Sequence, residues 1–260
     1  MSTEPVVRWT QEGNNITNGT VTLKIGDKID YDPADGATTT TYTSPATKTG
    51  WEEDQVFNVS SLAKTSGENW RVFGVDETTG QVLIIPENFV GPTEGGYDLE
   101  SESGATYYYL KGQDGYVNGV SELNKISDLY GHGKYATSAR SINADDVNKI
   151  TGFDPTSNFY NYNISMTDAV TEQLLVGTKN GYYYFTSNGS KFMYWLASSY
   201  SEDRGIYTAF GLGIVRSRGL SYEYLSDLYT YTYGVRPLVS LQSNINLKYN
   251  ETSQEWQFVE

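Results

Sequence analysis

Residues 193–241, MYWLASSYSEDRGIYTAFGLGIVRSRGLSYEYLSDLYTYTYGVRPLVSL, alternate between apolar and polar blocks. The three apolar blocks, residues 193–197, 209–215 and 234–241, are short and are bounded by Gly, Pro or Ser. Short apolar runs with such boundaries are typical of buried β-strands. This stretch therefore predicts three core strands, which two polar loops connect.

The polar blocks, residues 200–208 and 216–233, have the composition of a binding surface. They mix Tyr, Ser, Asp, Glu, Arg, Thr and Gly, and eight of the 23 tyrosines fall between Tyr194 and Tyr233. Tyr provides a rigid, amphipathic contact area, and Tyr and Arg are frequent interface anchors. Tyr is also a good strand residue, but strand propensity does not account for the charged residues among the tyrosines. We expect the ligand-binding residues to be Tyr200, Glu202, Asp203, Arg204, Tyr207, Arg216, Arg218, Tyr222, Glu223, Tyr224, Tyr229 and Tyr231.

The order of these blocks resembles a known family. YWLAS at 194–198, AFGLGIV at 209–215 and GVRPLVSL at 234–241 are similar to the variable region of C-type-lectin-fold proteins diversified by diversity-generating retroelements. The similarity is to the gut-bacterial and phage group with the pattern YWLAS…GVRPVVSL, and it extends upstream to about Leu23. It implies an α+β, C-type-lectin-like fold with two helices, small mixed or antiparallel sheets and long loops. The variable region would span about 194–241.

The same resemblance implies a function. Proteins of this class are non-enzymatic and display a hypervariable surface outside the cell, on a cell surface or a virion. The expected partner is a macromolecular ligand, either a protein receptor or a surface glycan. The alternative is a structural component of a surface appendage or phage tail that has no ligand of its own.

The distribution of Asn and Lys agrees with diversification. The chain has 18 Asn, but none lies between Gly189 and Ser243, and no Lys lies between Phe192 and Leu247. Retroelement diversification in the family replaces adenines, and Asn and Lys codons are rich in adenine. Diversified positions would therefore shift toward Tyr, Ser, Asp, Thr, Ile and Gly, which are frequent in the two polar blocks. Chance is the alternative explanation.

Composition and charge exclude several classes of function. The formal net charge of −14 disfavours nucleic acid and anionic membranes, because both are bound by clustered Lys and Arg. No segment predicts a signal peptide or insertion into a membrane. Without Cys, disulfides, thiolate zinc sites and cysteine nucleophiles are excluded, and a single His132 is too few for a histidine metal site. We expect no cofactor, no metal site and no catalytic residue.

Two motifs that would signal other activities are also missing from the sequence. No serine lies in a G-x-S-x-G elbow. Pro86-Glu87-Asn88 is the nearest approach to the calcium motif of sugar-binding C-type lectins, but its order is wrong and no Trp-Asn-Asp follows. Calcium-dependent lectin activity is therefore not expected.

The rest of the chain predicts one domain. Residues 1–20 read as a flexible polar lead-in and residues 21–260 as the C-type-lectin-like domain. Apolar periodicity and turn residues predict a hairpin at 70–75 and 82–86, helices at 119–130 and 143–152, and a strand pair at 173–177 and 182–186. Residues 34–50 and 94–104 read as loops. Arg236 is the one charge in an apolar strand, so we expect it to be paired and structural.

Overall fold

The computed structural model describes residues 8–37, 41–44, 55–58, 70–87, 108–110, 112–151, 162–163, 170, 174–175, 193–203, 208–216, 219–224, 231–233 and 235–260. Side chains are described at 8–37, 70–87, 119–151, 170, 174–175, 194–199 and 235–260, and the backbone alone at the other positions.

Both helices and strands are present in these ranges, so the predicted α+β class is confirmed. The helices are α1 (Gly112–Asp128), a 3₁₀ turn (Leu129–Gly131) and α2 (Ala144–Thr151). The strands are β1 (Thr10–Glu12), β2 (Asn15–Thr17), β3 (Thr22–Lys24), β4 (Lys28–Ile29), β5 (Thr41–Ser44), β6 (Gln55–Asn58), β7 (Trp70–Asp76), β8 (Gln81–Pro86), β9 (Tyr108–Leu110), β10 (Ala136–Ser141), β11 (Tyr162–Asn163), β12 (Met193–Asp203), β13 (Thr208–Arg216), β14 (Gly219–Tyr224), β15 (Tyr231–Tyr233), β16 (Pro237–Leu241), β17 (Asn246–Asn250) and β18 (Glu255–Val259). Neither α-helix is long and apolar enough to cross a membrane.

A seven-stranded sheet forms the centre of the fold, in the order β10-β16-β8-β7-β4-β18-β17. All its neighbours are antiparallel except β4 and β18, which pair in parallel. The predicted hairpin is confirmed as β7 and β8, with its turn closed by a hydrogen bond from Gly80 N to Asp76 O. The register pairs Ile84 of β8 with Val239 of β16. The clearest predicted hairpin and the last apolar block are therefore adjacent in the sheet.

Two clusters of buried side chains cover the two faces of this sheet. Ile84 and Val239 belong to the larger cluster, whereas their chain neighbours Ile85 and Leu238 belong to the second. Successive residues of a strand face opposite sides of a sheet, so the two clusters lie on opposite sides of the seven-stranded sheet. Trp195 is fully buried in the larger cluster, as predicted.

The N-terminal segment is part of the fold, and the expected flexible lead-in is wrong for the described residues from Arg8 onward. β1, β2 and β3 form an antiparallel sheet. Trp9 and Ile16 are buried in the larger cluster, and Trp9 N donates a hydrogen bond to Gly80 O. These two apolar side chains, isolated in a polar sequence, pack the segment into the core of the central sheet.

The second predicted helix is confirmed as α2, and its start is fixed by a reciprocal cap. Asn143 Oδ1 accepts a hydrogen bond from Asp146 N, and Asp146 Oδ2 accepts one from Asn143 N, each at 2.9 Å. This exchange satisfies two backbone donors that the first turn would leave unpaired. Its expected end at Gly152 lies outside the described residues.

The first helix is confirmed but is longer than predicted. α1 begins at Gly112, seven residues before the predicted start at Gly119, and runs to Asp128. Residues 112–118, GQDGYVN, contain few apolar side chains, so apolar periodicity does not reveal them. Leu123 and Ile126 pack into the larger cluster at the spacing that predicted the helix.

Several predicted loops and strands differ from the structure. The loop predicted at 34–50 contains β5, which pairs with β6. The strand predicted at 173–177 is wrong at Leu174–Leu175, where the backbone is helical. Its predicted partner at 182–186, like the loop predicted at 94–104, lies outside the described residues. The polar blocks at 200–208 and 216–233 are in part strands, since β12 continues to Asp203 and β14 and β15 lie in the second block.

Candidate functional site

The stretch predicted to bind a ligand builds a sheet of its own. β12, β13 and β14 are antiparallel neighbours, and β11 adds to β14 where Leu220 pairs with Tyr162. Antiparallel partners that lie directly opposite one another share a face of the sheet. The register therefore sorts the predicted site residues by face even where the backbone alone is described.

Four of the predicted residues share one face. Gly211 of β13 pairs with Tyr200 of β12 on one side and with Tyr224 of β14 on the other. Two residues along β13 in either direction, Ala209 pairs with Glu202 and Gly213 pairs with Tyr222. We call this the tyrosine face: Tyr200, Glu202, Tyr222 and Tyr224, separated by the small residues Ala209, Gly211 and Gly213.

The opposite face continues from the core. Trp195 pairs with Ile214, so both lie on that face, and strand alternation adds Leu212 and Phe210. Trp195 belongs to the same buried cluster as Leu123 of α1, and α1 lies against both β12 and β13. Between Ala209 and Ile214 the β13 residues of the α1 face are large and apolar, whereas those of the tyrosine face are small. Val215, which pairs with Tyr194, is a large residue at a tyrosine-face position.

The other predicted residues divide between this opposite face and the rest of the chain. Glu223 pairs with Leu212, Asp203 with Thr208, and Arg216 with Gly219, which are all register positions of the α1 face. Tyr231 lies on β15, where it pairs with Leu110 of β9. The remaining predicted residues, Arg204, Tyr207, Arg218 and Tyr229, lie outside the described residues.

Sequence reasoning missed two contributors to this region. β9 pairs with β15, so that Tyr108 lies opposite Tyr233 and Tyr109 opposite Thr232. The run of Tyr before α1 was the available signal, but nothing local connects it with residues 231–233. The glycines of β13 were read only as part of an apolar block, although their spacing of two already places them on one face.

A bulge separates the buried end of β12 from the end that carries Tyr200. Between Trp195 and Ser199 three residues of β12 lie opposite the single Gly213 of β13. The bulged residues bind the chain around the start of α2: Ala197 N donates to Ile142 O, and Ser198 Oγ accepts a hydrogen bond from Ala144 N. Bulges commonly re-aim a strand near functional sites, and this one is fixed to the scaffold by both contacts.

Arg236, just before β16, binds the end of β8 and Leu175, in the structural role that the sequence predicted. It is 1% exposed, and its guanidinium donates through Nη2 to Pro86 O at 2.5 Å and through Nη1 to Leu175 O at 2.9 Å. Nη1 also lies 3.5 Å from Tyr194 Oη, which itself donates to Leu175 O at 2.9 Å. Burial lowers the pKa of Arg236 and raises the pKa of Tyr194.

A second buried arginine adjoins this network. Arg71 forms an ion pair with Glu87 and donates from Nη1 to Gly26 O at 2.6 Å. Arg236 Nη2 lies 3.4 Å from Glu87 O, so the end of β8 is held by both guanidinium groups. Buried charges require this kind of pairing, and the arrangement fits a structural role and not a catalytic one.

Within the described part of the chain, neither a metal-binding cluster nor the cavity between β1, β7 and α2 includes a predicted site residue. Among the described residues no group of three or more His, Cys, Asp or Glu is arranged to hold a metal ion, and His132 Nε2 lies 3.1 Å from Asp128 Oδ2. A cavity of about 670 Å³ lies between β1, β7 and α2. Its walls include Trp9, Phe73 and Leu83, and its charged residues are Lys149, Glu77 and Asp146.

The comparisons with known proteins give no match. No protein-family model matches the chain, and neither a curated protein nor a solved structure matches it.

Proposed function

We propose that this chain is a non-enzymatic binding module that contacts a macromolecular ligand through the tyrosine face of a C-type-lectin-like scaffold. The observation that carries the proposal is the pairing of Gly211 with Tyr200 and Tyr224, which groups separate predicted residues on one face. Tyr is favoured on recognition surfaces because it contributes a large contact area at a small cost in side-chain entropy.

The division of β12–β14 into two faces supports this proposal. One face is continuous with a buried cluster through Trp195, and it carries the large apolar residues of β13. Tyr194, which pairs with Val215 at a register position of the tyrosine face, is buried in the second cluster, so the surface on which variable residues can be tolerated lies beyond the bulge of β12. The tyrosine face carries three of the predicted tyrosines, so it is the region where recognition is expected.

The test is a binding scan combined with thermal melting. The labelled chain is screened against a printed glycan array and a phage-displayed peptide library, and each hit is measured again with variants. The double variant Tyr200→Ala with Tyr224→Ala should weaken binding by about thirtyfold or more, which is the loss typical of interface hot spots. Its melting temperature should remain close to that of the parent chain.

The matched control is Tyr249→Ala, which removes a half-buried tyrosine of β17, in the central sheet. It should leave binding to every hit unchanged. The proposal fails if neither panel gives a hit, or if the control reduces binding as much as the double variant does.

A further inference from the structure

The cavity between β1, β7 and α2 has the size and layout of a small-molecule site. Its volume of about 670 Å³ falls within the range of about 300–1,000 Å³ that is typical of ligand pockets. The lining residues come mainly from the β1–β2 hairpin, from β7 and β8, and from α2. Among the described residues that line it, none belongs to the tyrosine face, so the cavity is separate from the surface proposed above.

The missing side chain of Gly74 leaves space inside the cavity. Gly74 pairs with Leu83 of β8, so both positions lie on the face of the central sheet that the second cluster covers. Gly74 is buried, yet the only described atom beyond its chain neighbours within 4 Å of an added Cβ would be Gln11 Oε1, at 3.2 Å. Protein interiors are close-packed elsewhere, so this open space on a core face is available to a group of a ligand.

The cavity is apolar inside and polar at its mouth. The inner wall is formed by apolar side chains of the second cluster and its partly buried neighbours: Ile25, Phe73, Leu83, Ile150 and Val170. The mouth is formed by exposed polar and charged residues: Thr10, Gln11, Asn14, Glu77 and Lys149. A ligand that matches this lining has an apolar body and a polar end.

The side chain of Gln11 fixes the mouth in place. Its Oε1 accepts a hydrogen bond from Val75 N at 3.1 Å, and its Nε2 donates one to Gly13 O at 3.2 Å. One amide group therefore holds the turn of the β1–β2 hairpin against β7. Because the opening is formed before a ligand arrives, binding has a smaller ordering cost.

Of the three charged residues in the lining, Asp146 is already neutralised. Its two carboxylate oxygens accept hydrogen bonds from the guanidinium of Arg140 at 2.6 and 2.7 Å. Glu77 and Lys149 form no ion pair within the described part of the chain. The charges that remain for a ligand are therefore one carboxylate and one ammonium at the same opening.

From these observations we infer that the cavity binds a small zwitterion with an apolar side chain, carried by a free amino acid or by a short peptide. The apolar side chain occupies the space above Gly74, while the carboxylate of the ligand pairs with Lys149 and its ammonium with Glu77. A ligand with a single charge would satisfy one of these groups and place that charge beside the other, which has the same sign. The inference goes beyond the proposed function and does not depend on it.

The experiment removes one charge at a time from the ligand and from the protein. Isothermal titration calorimetry compares leucine and leucyl-leucine with leucinamide, which lacks the carboxylate, and with N-acetyl-leucine, which lacks the ammonium. The variants are Lys149→Met and Glu77→Gln. Their matched controls are Lys248→Met and Glu251→Gln, which make the same changes at exposed positions on β17 and just after it, away from the cavity.

We expect the parent chain to bind leucine or leucyl-leucine with a dissociation constant of about 1 mM or below. Lys149→Met should weaken that binding by about fivefold, as for an exposed ion pair, and should leave the weaker binding of leucinamide unchanged. Glu77→Gln should act in the same way on leucine and spare N-acetyl-leucine. The two control variants should bind as the parent does, and the tighter of the two zwitterions identifies the source of the ligand.

Filling the cavity gives an independent measurement of where the zwitterion binds. Gly74→Val places a branched side chain in the space above β7, and it should reduce leucine binding by about tenfold or more. If this variant unfolds, the decision rests on Lys149→Met and Glu77→Gln, which change exposed side chains. A folded Gly74→Val variant that binds leucine as the parent does would show that the ligand lies elsewhere.

Three further outcomes would overturn the inference. The first is the absence of saturable binding by either zwitterion. The second is equal binding of leucine and of the analogue that lacks one of its charges. The third is a loss in Lys149→Met that is as large for leucinamide as for leucine, because the ammonium would then not be recognising the carboxylate.

Discussion

Arg236 donates a hydrogen bond from Nη2 to the carbonyl oxygen of Pro86, which lies 150 residues earlier in the chain and 2.5 Å away. This contact joins the residue just before β16 to the last residue of β8. The same guanidinium also binds Leu175 O and lies beside Tyr194. One side chain thus connects three distant segments, and the energetic consequences can be measured.

Replacing Arg236 should destabilise the fold strongly. Arg236→Met keeps much of the volume but leaves Pro86 O without its guanidinium donor and Leu175 O with only the Tyr194 hydroxyl, and the cost should be about 1–3 kcal/mol in the free energy of unfolding. Arg236→Lys should also destabilise, because an ammonium does not reproduce the planar fork. Urea denaturation followed by Trp fluorescence measures both. Lys134→Ala, which breaks an exposed ion pair with Glu260, is the control and should change little.

Truncating the buried Trp195 of β12 should reduce stability far more than truncating the tyrosines of β14. Trp195→Ala removes a fully buried ring and should cost roughly 3–5 kcal/mol. Tyr222→Ala and Tyr224→Ala should each change stability by no more than about 0.5 kcal/mol, as at surface positions. Thermal and urea unfolding of the three variants gives the comparison. Tyrosine variants as unstable as the Trp195 variant would show that these tyrosines belong to the core.

The glycine after Tyr130 should be intolerant of a methyl group. A Cβ at Gly131 would overlap the backbone of Ser138 and Ala139, and backbone atoms have little freedom to move away. We expect Gly131→Ala to destabilise the chain by about 1–3 kcal/mol through overpacking. At Gly74 the nearest atom to the added Cβ would be Gln11 Oε1, 3.2 Å away at the end of a flexible side chain. The melting temperature of Gly74→Ala should therefore be closer to that of the parent chain.

The turn of the β7–β8 hairpin should contribute to acid sensitivity. Asp76 Oδ1 accepts hydrogen bonds from Thr79 N at 3.0 Å and Thr78 N at 2.8 Å, and the Thr79 bond is the main reason that the pKa of Asp76 is lowered. A carboxylate with a lowered pKa in the folded state contributes stability above its unfolded pKa of about 3.9, and loses it as the pH falls through the folded pKa.

Asp76→Asn should accordingly reduce stability at neutral pH and flatten its decline below about pH 4. Urea midpoints across this range for the parent and the variant provide the measurement. Asp35→Asn is a suitable comparison, because Asp35 is an exposed turn carboxylate that accepts no side-chain hydrogen bond within the described residues. An unchanged pH profile for Asp76→Asn would show that these hydrogen bonds add nothing to stability.

Much of the scaffold could be predicted because its signals are local. The hairpin of β7 and β8 follows from two apolar runs around a turn, and α2 follows from a capping residue with acids in its first turn. Residues 8–17 could not be placed in this way, since Trp9 and Ile16 are isolated and their partners lie far along the chain. The seven residues at the start of α1 likewise lack an apolar stripe.

The candidate site was predictable in composition but not in arrangement. The Tyr-rich blocks identify the region, yet the face on which a residue lies depends on the pairing register. A one-residue shift would exchange Tyr222 with Glu223 between faces. That register also depends on the bulge after Trp195, which is stabilised by contacts with residues near α2. No local pattern in β12 carries this information.

The contact between Tyr194 and Arg236 has a consequence for insertions and deletions. These residues lie near the start of β12 and just before β16, and Nη1 of one lies 3.5 Å from Oη of the other. The chain between them therefore begins and ends at neighbouring points. When the ends of a segment are fixed together, doubling its length costs only about 0.6 kcal/mol in closure entropy. Relatives of this chain could thus differ in length between β12 and β16 and still keep the same scaffold.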